Sequence, residues 1–173
     1  MENNYVSLEE MLEGKEVRAR YQAQLIEKYK RPLVCFTVVM PGPIKQNEMS
    51  EKIFALGKRE IENAFKEHNV IFQDERVKKT GSEGYYVVDL PVEELKKTVV
   101  KIEDESAIGR LFDIDVIGRD YMPISRSKYG MPERKCLICG GPAHSCARSR
   151  KHSVDELLKE IERVLADHRG LPM

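Results

Sequence analysis

The order of apolar patterns between residues 33 and 117 constrains the fold of this chain more than any other feature. A β-branched run over 33–40 predicts a buried strand, which the rigid Pro41-Gly42-Pro43 turn ends. Apolar residues four apart predict a helix over roughly 48 to 68. Two further apolar runs, near 70–72 and 85–88, are separated by a polar, glycine-containing loop and indicate a hairpin.

A second helix and a fourth strand complete the pattern. Pro91 is compatible with the first turn of a helix, and the apolar run around Asp113 follows that helix. The resulting β-α-β-β-α-β order is that of the ferredoxin-like arrangement, in which two helices cover one face of an antiparallel sheet. Capping boxes at Ser7–Glu10 and Ser153–Glu156 add an N-terminal and a closing helix. We therefore predict an α+β fold.

The chain length and composition favour a single domain over residues 1–173. At 173 residues and 41% hydrophobic content, the chain can bury one substantial core. We expect that core over about 32–118. Residues 119–168 would add a loop rich in Cys and Arg and the closing helix.

The charge balance excludes a global attraction to polyanions. The chain carries 29 basic and 29 acidic side chains, so we expect neither nucleic acid nor a membrane surface as a partner. No stretch approaches the roughly 20 apolar residues that span a bilayer, and the N-terminus lacks the pattern of a signal peptide. Three of the four cysteines lie within eleven positions, which is typical of a reducing compartment. These features predict a cytoplasmic protein.

Two aspartates in the fourth strand are candidate magnesium ligands. Asp113 and Asp115 alternate with apolar residues, so their carboxylates would project from the same face of the strand. A shared Mg²⁺ would relieve their repulsion and neutralise a bound polyphosphate. The alternative is an ordinary half-exposed strand with surface aspartates.

Several basic residues are candidates for binding phosphate. Residues 119–152 carry eight Lys or Arg against two Asp or Glu, and part of this segment precedes the capped start of the last helix, where an anion is favoured. His152 lies in that part, and a solvated charged face is the alternative. The predicted phosphate-binding residues are Lys45, Gly109 through its N–H, Arg110, Arg148 and Arg150.

The clustered cysteines supply donors for a tetrahedral zinc site. Cys136, Cys139 and Cys146 would be three ligands, and His144 or His152 the fourth. The spacing after Cys146 departs from the usual paired pattern. Small buried thiols in an irregular loop are the alternative.

Three motifs in this order resemble the apo-citrate lyase phosphoribosyl-dephospho-CoA transferases, which are also called citrate lyase holo-acyl-carrier-protein synthases. The resemblance spans most of the chain. Its motifs are Pro41-Gly42-Pro43-Ile44-Lys45, Gly109-Arg110-Leu111-Phe112-Asp113-Ile114-Asp115, and Arg134-Lys135-Cys136-Leu137-x-Cys139 followed by Cys146-Ala147-Arg148-Ser149-Arg150-x-His152.

The resemblance implies a nucleotidyltransferase-type enzyme. Its substrate would be 2′-(5″-triphosphoribosyl)-3′-dephospho-CoA, and its acceptor a serine of the citrate lyase acyl carrier (gamma) subunit, with release of pyrophosphate. Asp113 and Asp115 would bind Mg²⁺, and His152 would be a general base or a phosphate ligand. In the broader nucleotidyltransferase superfamily a Gly-Ser pair stands further before the aspartates, whereas here Arg110 follows Gly109. We therefore expect the ferredoxin-like architecture instead of the standard nucleotidyltransferase fold.

A second hypothesis is a non-enzymatic module. In it, the cysteine loop holds zinc and the basic face docks a protein or RNA partner. It predicts bound zinc and no dependence on Asp113 or Asp115, whereas the transferase hypothesis predicts Mg²⁺-dependent turnover.

Overall fold

The structure, a computed structural model, describes residues 4–169 as an α+β arrangement of five α-helices and a four-stranded antiparallel sheet. None of these helices combines the length and the apolar character needed to cross a membrane. The elements in chain order are α1 (Leu8–Tyr29), β1 (Leu33–Val38), α2 (Glu48–Phe65), β2 (Val70–Arg76), β3 (Glu83–Val88), α3 (Val92–Glu105), β4 (Phe112–Ile117), α4 (Ala143–Ser149) and α5 (Val154–Arg169), with short 3₁₀ helices at Gly109–Leu111 and Arg126–Tyr129.

The strand order in the sheet is β2-β3-β1-β4, and every neighbouring pair is antiparallel. β4 is therefore an edge strand. Its register against β1 pairs Asp113 with Thr37 and Asp115 with Cys35. Because paired residues project to the same face of a sheet, both carboxylates lie on the face that carries Cys35.

The two faces of the sheet are covered by different helices. One face contributes Phe36 and Ile114 to the main core, which α2, α3 and α5 complete. The other face packs Leu33 and Tyr85 against Leu25 of α1. The carboxylates of β4 therefore share the α1 side of the sheet.

The sequence predicted most of these elements. Both capping boxes are confirmed, since Glu10 N–H donates to Ser7 Oγ at 3.1 Å and Glu156 N–H donates to Ser153 Oγ at 3.2 Å. The prediction that 119–152 is an irregular loop is wrong in part, because this segment contains a 3₁₀ helix and α4. The helical turns in α4 place the third cysteine next to the first two.

Side chains close the exposed edge of β4. The Ile114 N–H donates to Glu103 Oε1 of α3 at 2.9 Å, and Arg134 donates to the carbonyl of Phe112. Glu103 is 5% exposed and forms ion pairs with Arg126 at 2.6 Å and with Arg134 at 3.1 Å. These contacts satisfy two outward backbone groups of the edge strand, a third is satisfied where Ile124 N–H donates to the Val116 carbonyl at 2.8 Å, and the ion pairs hold residues 126–134 against the strand.

We expect Glu103→Gln to lower the free energy of unfolding by about 3 kcal/mol, because it leaves two arginines without their buried counter-charge. Urea denaturation measures this change. Glu105→Gln on the same helix is the control, since Glu105 is exposed and lies 3.8 Å from Lys101, so its loss should cost less than about 0.5 kcal/mol. Equal losses in the two variants would contradict the role assigned to the network.

Candidate functional site

The carboxylates of β4 form an exposed pair whose charges repel each other. Asp113 has 53% of its side chain exposed. Asp115 keeps contact with solvent, but the protein atoms crowded around it and the Asp113 charge raise the pKa of Asp115 to about 6. A strand that holds two carboxylates on one face at this electrostatic cost has the donor set for a hard divalent cation.

Two cations that the sequence analysis did not select lie beside this pair. Arg134 Nη1 is 3.5 Å from Asp113 Oδ1. Lys96 of α3 is 5% exposed, burial lowers its pKa, and the charges of Asp115, Glu103 and Asp113 oppose that shift. Arg134 belongs to a motif quoted above, but its contact with Asp113 crosses 21 positions in the chain. Lys96 follows Leu95 in an amphipathic helix, and no sequence pattern distinguishes it from the other charged residues of that helix.

The cysteine-rich segment brings four metal donors together. One donor atom each from Cys136, Cys139, Cys146 and His152 lies within 4.8 Å of the other three. Ligands of tetrahedral zinc are roughly 3.5 to 3.8 Å apart, so the cluster needs only a small contraction to hold a metal ion. His152, and not His144, completes the set. Its Nε2 atom is buried and has no hydrogen-bond partner within residues 4–169.

The thiols of this cluster differ in acidity. The Gly141 N–H, and then the neighbouring His152, lower the pKa of Cys139 to about 6. Cys139 next to it and partial burial raise the pKa of Cys146 to about 11. The two sulfurs are 3.5 Å apart, which is too far for a disulfide. Cys139 is therefore more readily deprotonated than Cys146.

A cavity of about 540 Å³ adjoins the cysteine cluster. It lies between the end of β1, the loop that carries Cys136 and Cys139 (the cysteine loop), α4 and the first turns of α5. Its apolar lining comes from Val39, Pro41, Leu137, Ala143, Ala147, Val154, Leu157 and Ile161, and its basic lining from Arg110, Arg134, Lys135 and Arg150. Asp113 and Asp115 are not among the lining residues.

The predicted phosphate-binding residues are only partly brought together. Arg110 and Arg150 line the 540 Å³ cavity, and Arg110 also donates to the carbonyls of Lys135 and Cys136. Arg148 is exposed on α4 outside the cavity lining. Lys45 lines a separate cavity of about 140 Å³, where its ammonium donates to the Met40 carbonyl at 2.6 Å.

Gly109 has a packing role. Its N–H donates to the Ser106 carbonyl at 3.1 Å, so the expected phosphate contact is not available in this conformation. A Cβ atom at this position would lie 2.2 Å from the Ile102 carbonyl oxygen. Only glycine permits this approach of the 3₁₀ turn to α3, and that approach sets where β4 begins.

The comparisons with known proteins agree with one another. The family described as apo-citrate lyase phosphoribosyl-dephospho-CoA transferase matches residues 6–168. A probable apo-citrate lyase phosphoribosyl-dephospho-CoA transferase of Vibrio cholerae serotype O1 (strain M66-2) is 42% identical over 166 residues, which cover 94% of this chain and 93% of the relative. An apo-citrate lyase phosphoribosyl-dephospho-CoA transferase of Citrobacter koseri is 34% identical over 164 residues, covering 94% and 90%.

A longer relative carries the same region. Protein CitXG of Haemophilus influenzae is 31% identical over 169 residues, which cover 96% of this chain and 36% of that protein. The family match and the full-length relatives together settle the family of this chain. The chain belongs to the apo-citrate lyase phosphoribosyl-dephospho-CoA transferase family.

Proposed function

We propose that the protein transfers the phosphoribosyl-dephospho-CoA group from 2′-(5″-triphosphoribosyl)-3′-dephospho-CoA to a serine of the acyl carrier subunit of apo-citrate lyase. The family match over residues 6–168 carries this proposal. The serine oxygen attacks the α-phosphorus of the triphosphate, the bond to the β-phosphate breaks, and pyrophosphate leaves. A phosphodiester joins the group to the carrier.

Asp113 and Asp115 are proposed to hold Mg²⁺. Their shared face on β4 and the raised pKa of Asp115 support this role, since a cation would relieve the repulsion between them. Mg²⁺ held there would neutralise the triphosphate and stabilise the leaving pyrophosphate. Arg134, 3.5 Å from Asp113, would orient that carboxylate.

Arg110 and Arg150 are proposed to bind substrate phosphates from their places in the 540 Å³ cavity. Arg148 and Lys45 lie outside that cavity, so their assignments as phosphate ligands rest on the sequence motifs alone. The proton of the attacking serine needs an acceptor close to the β4 carboxylates. His152 is better suited to metal binding than to that role, since its Nε2 atom is buried beside three thiols.

The cysteine cluster is proposed to bind structural zinc. Three thiols and one imidazole match a closed tetrahedral site without an open position for substrate. The four cysteines are free thiols, and a cytoplasmic location, which is part of this proposal, would keep them reduced. The ion would hold the cysteine loop and α4 as one wall of the cavity.

We further propose that the sheet with α2 and α3 forms a ferredoxin-like core and that the chain folds as a single domain. The β-α-β-β-α-β element order and the strand order β2-β3-β1-β4 support the first assignment. Contacts of α5 with the main core support the second. The non-enzymatic hypothesis is less favoured, because the similar full-length proteins are named transferases.

We expect Asp113→Asn and Asp115→Asn each to lower the rate of transfer at least about 100-fold, because each removes a ligand charge from the proposed Mg²⁺ site. Intact-mass spectrometry of the acyl carrier subunit, incubated with enzyme, substrate and Mg²⁺, measures the rate.

Asp89→Asn is the matched control, since Asp89 pairs with Arg31 after β3 and lies outside the carboxylate pair. Without Mg²⁺, Asp115→Asn should unfold at a temperature no lower than the unsubstituted protein, because it removes a like-charge repulsion. A folded Asp113→Asn variant that transfers at full rate would remove the carboxylates from the mechanism.

We expect the purified protein to contain one zinc ion and His152→Ala to lose most of it, with a lower thermal midpoint. Elemental analysis after dialysis measures the metal. His144→Ala should keep its zinc, because His144 is exposed on α4 and outside the cluster. Full zinc retention in both variants would contradict the proposed fourth ligand.

A further inference from the structure

The 540 Å³ cavity combines two kinds of surface. Val39, Leu137 and Leu157 contribute apolar walls, whereas Arg110 and Arg150 add positive charge. Its volume falls within the roughly 300 to 1,000 Å³ of typical small-molecule sites. A ligand that fills it must therefore have both an uncharged part and an anionic part.

The positive charge of this cavity is only partly neutralised within the protein, because Arg134 pairs with Glu103 and Asp113. No Asp or Glu is among the lining residues that the structure describes. Within residues 4–169, Arg110, Lys135 and Arg150 form no salt bridge with a carboxylate. Cations that a fold leaves unpaired around a concave apolar site favour an anionic ligand, because such a ligand supplies the missing counter-charge.

Arg134 connects the cavity to the carboxylates. Its side chain lines the cavity and also approaches Asp113 Oδ1 to 3.5 Å. A ligand seated in the cavity with its anionic part toward Arg134 would therefore reach the carboxylate pair. An elongated molecule with a second, more highly charged phosphate group fits this arrangement.

We propose that the cavity binds the dephospho-CoA half of the substrate. The apolar walls take its uncharged end groups and the basic residues take its diphosphate, while the triphosphate extends past Arg134 toward Asp113 and Asp115. The identity of the ligand rests on the proposed function, whereas its chemical class, an organic diphosphate with a large uncharged part, rests on the cavity. The acceptor carrier subunit would then approach from the carboxylate side.

Calorimetric titration of the zinc-loaded protein with dephospho-CoA, without Mg²⁺, tests this assignment. This probe lacks the triphosphoribosyl group, so it reports on the cavity separately from the carboxylates. Ala147→Glu places a carboxylate on the cavity wall, and Ser145→Glu places one on the same short helix outside the lining. Both native residues are exposed, so neither substitution disturbs the core.

We expect dephospho-CoA to bind the unsubstituted protein and Ser145→Glu equally, and Ala147→Glu at least about tenfold more weakly, because the new carboxylate repels the diphosphate. Equal zinc content and equal thermal midpoints would show that both variants keep the site intact. Equal affinity of all three proteins, or no binding by any, would overturn the assignment. A variant Ala147→Glu that binds dephospho-CoA normally but the carrier subunit weakly would assign the cavity to the carrier instead, and would also overturn it.

The two proposals can fail separately. Transfer to the carrier with dephospho-CoA affinity unaffected by Ala147→Glu would leave the function standing and reject the cavity. Dephospho-CoA binding that Ala147→Glu weakens and Ser145→Glu does not, without any transfer to the carrier, would support the assignment of the cavity and reject the proposed transferase function.

Discussion

The ion-pair network around Glu103 joins three successive parts of the chain: α3, the edge strand β4 and residues 126–134. Glu103 lies on α3, accepts from the backbone of β4 and pairs with Arg126 and Arg134 from the segment before the cysteine loop. Replacing such a buried network by apolar residues is often neutral for stability. Its main contribution here is therefore to position the elements that it joins. It fixes the edge of β4, and with it the carboxylates, relative to the wall of the cavity.

The carboxylate pair shows why the fold needs this support. Two like charges on one face of a strand destabilise it, and the pKa of Asp115 is raised first by the protein atoms around it and then by the charge of Asp113. An edge strand with unpaired backbone groups would respond by fraying or by pairing with another chain. The side chains of Glu103 and Arg134 bind the Ile114 N–H and the Phe112 carbonyl of that edge, so the repulsion is retained in an ordered strand. Arg134, 3.5 Å from Asp113, offsets part of this negative charge, and the proposed Mg²⁺ would offset more of it.

Local patterns predicted the strand of Asp113 and Asp115, the two capping boxes and the clustering of the three cysteines, because each depends on residues close together in the chain. The choice of His152 over His144 could not be made in this way, since it depends on how α4 turns the loop. Arg134 and Lys96 were missed for the same reason. Both lie near the carboxylates of the edge strand β4 only in the folded chain, and no spacing in the sequence predicts this proximity. The cavity is likewise formed by segments up to about 120 residues apart in the chain.

The separation of the cavity from the carboxylates follows from the chemistry that the family name describes. A group that is transferred whole must be held by parts that do not react, so that binding energy positions the reacting phosphate. In the proposed function, the cavity beside the cysteine loop would hold that group at one side of Arg134, and β4 would supply the charge for the reaction at the other. Since Arg134 lines the cavity and approaches Asp113, a shift of the loop would move the side chain that is proposed to orient Asp113. A metal ion in the proposed cysteine site would hold Cys136, Cys146 and His152, which line the cavity, and would therefore influence the rate by positioning that wall.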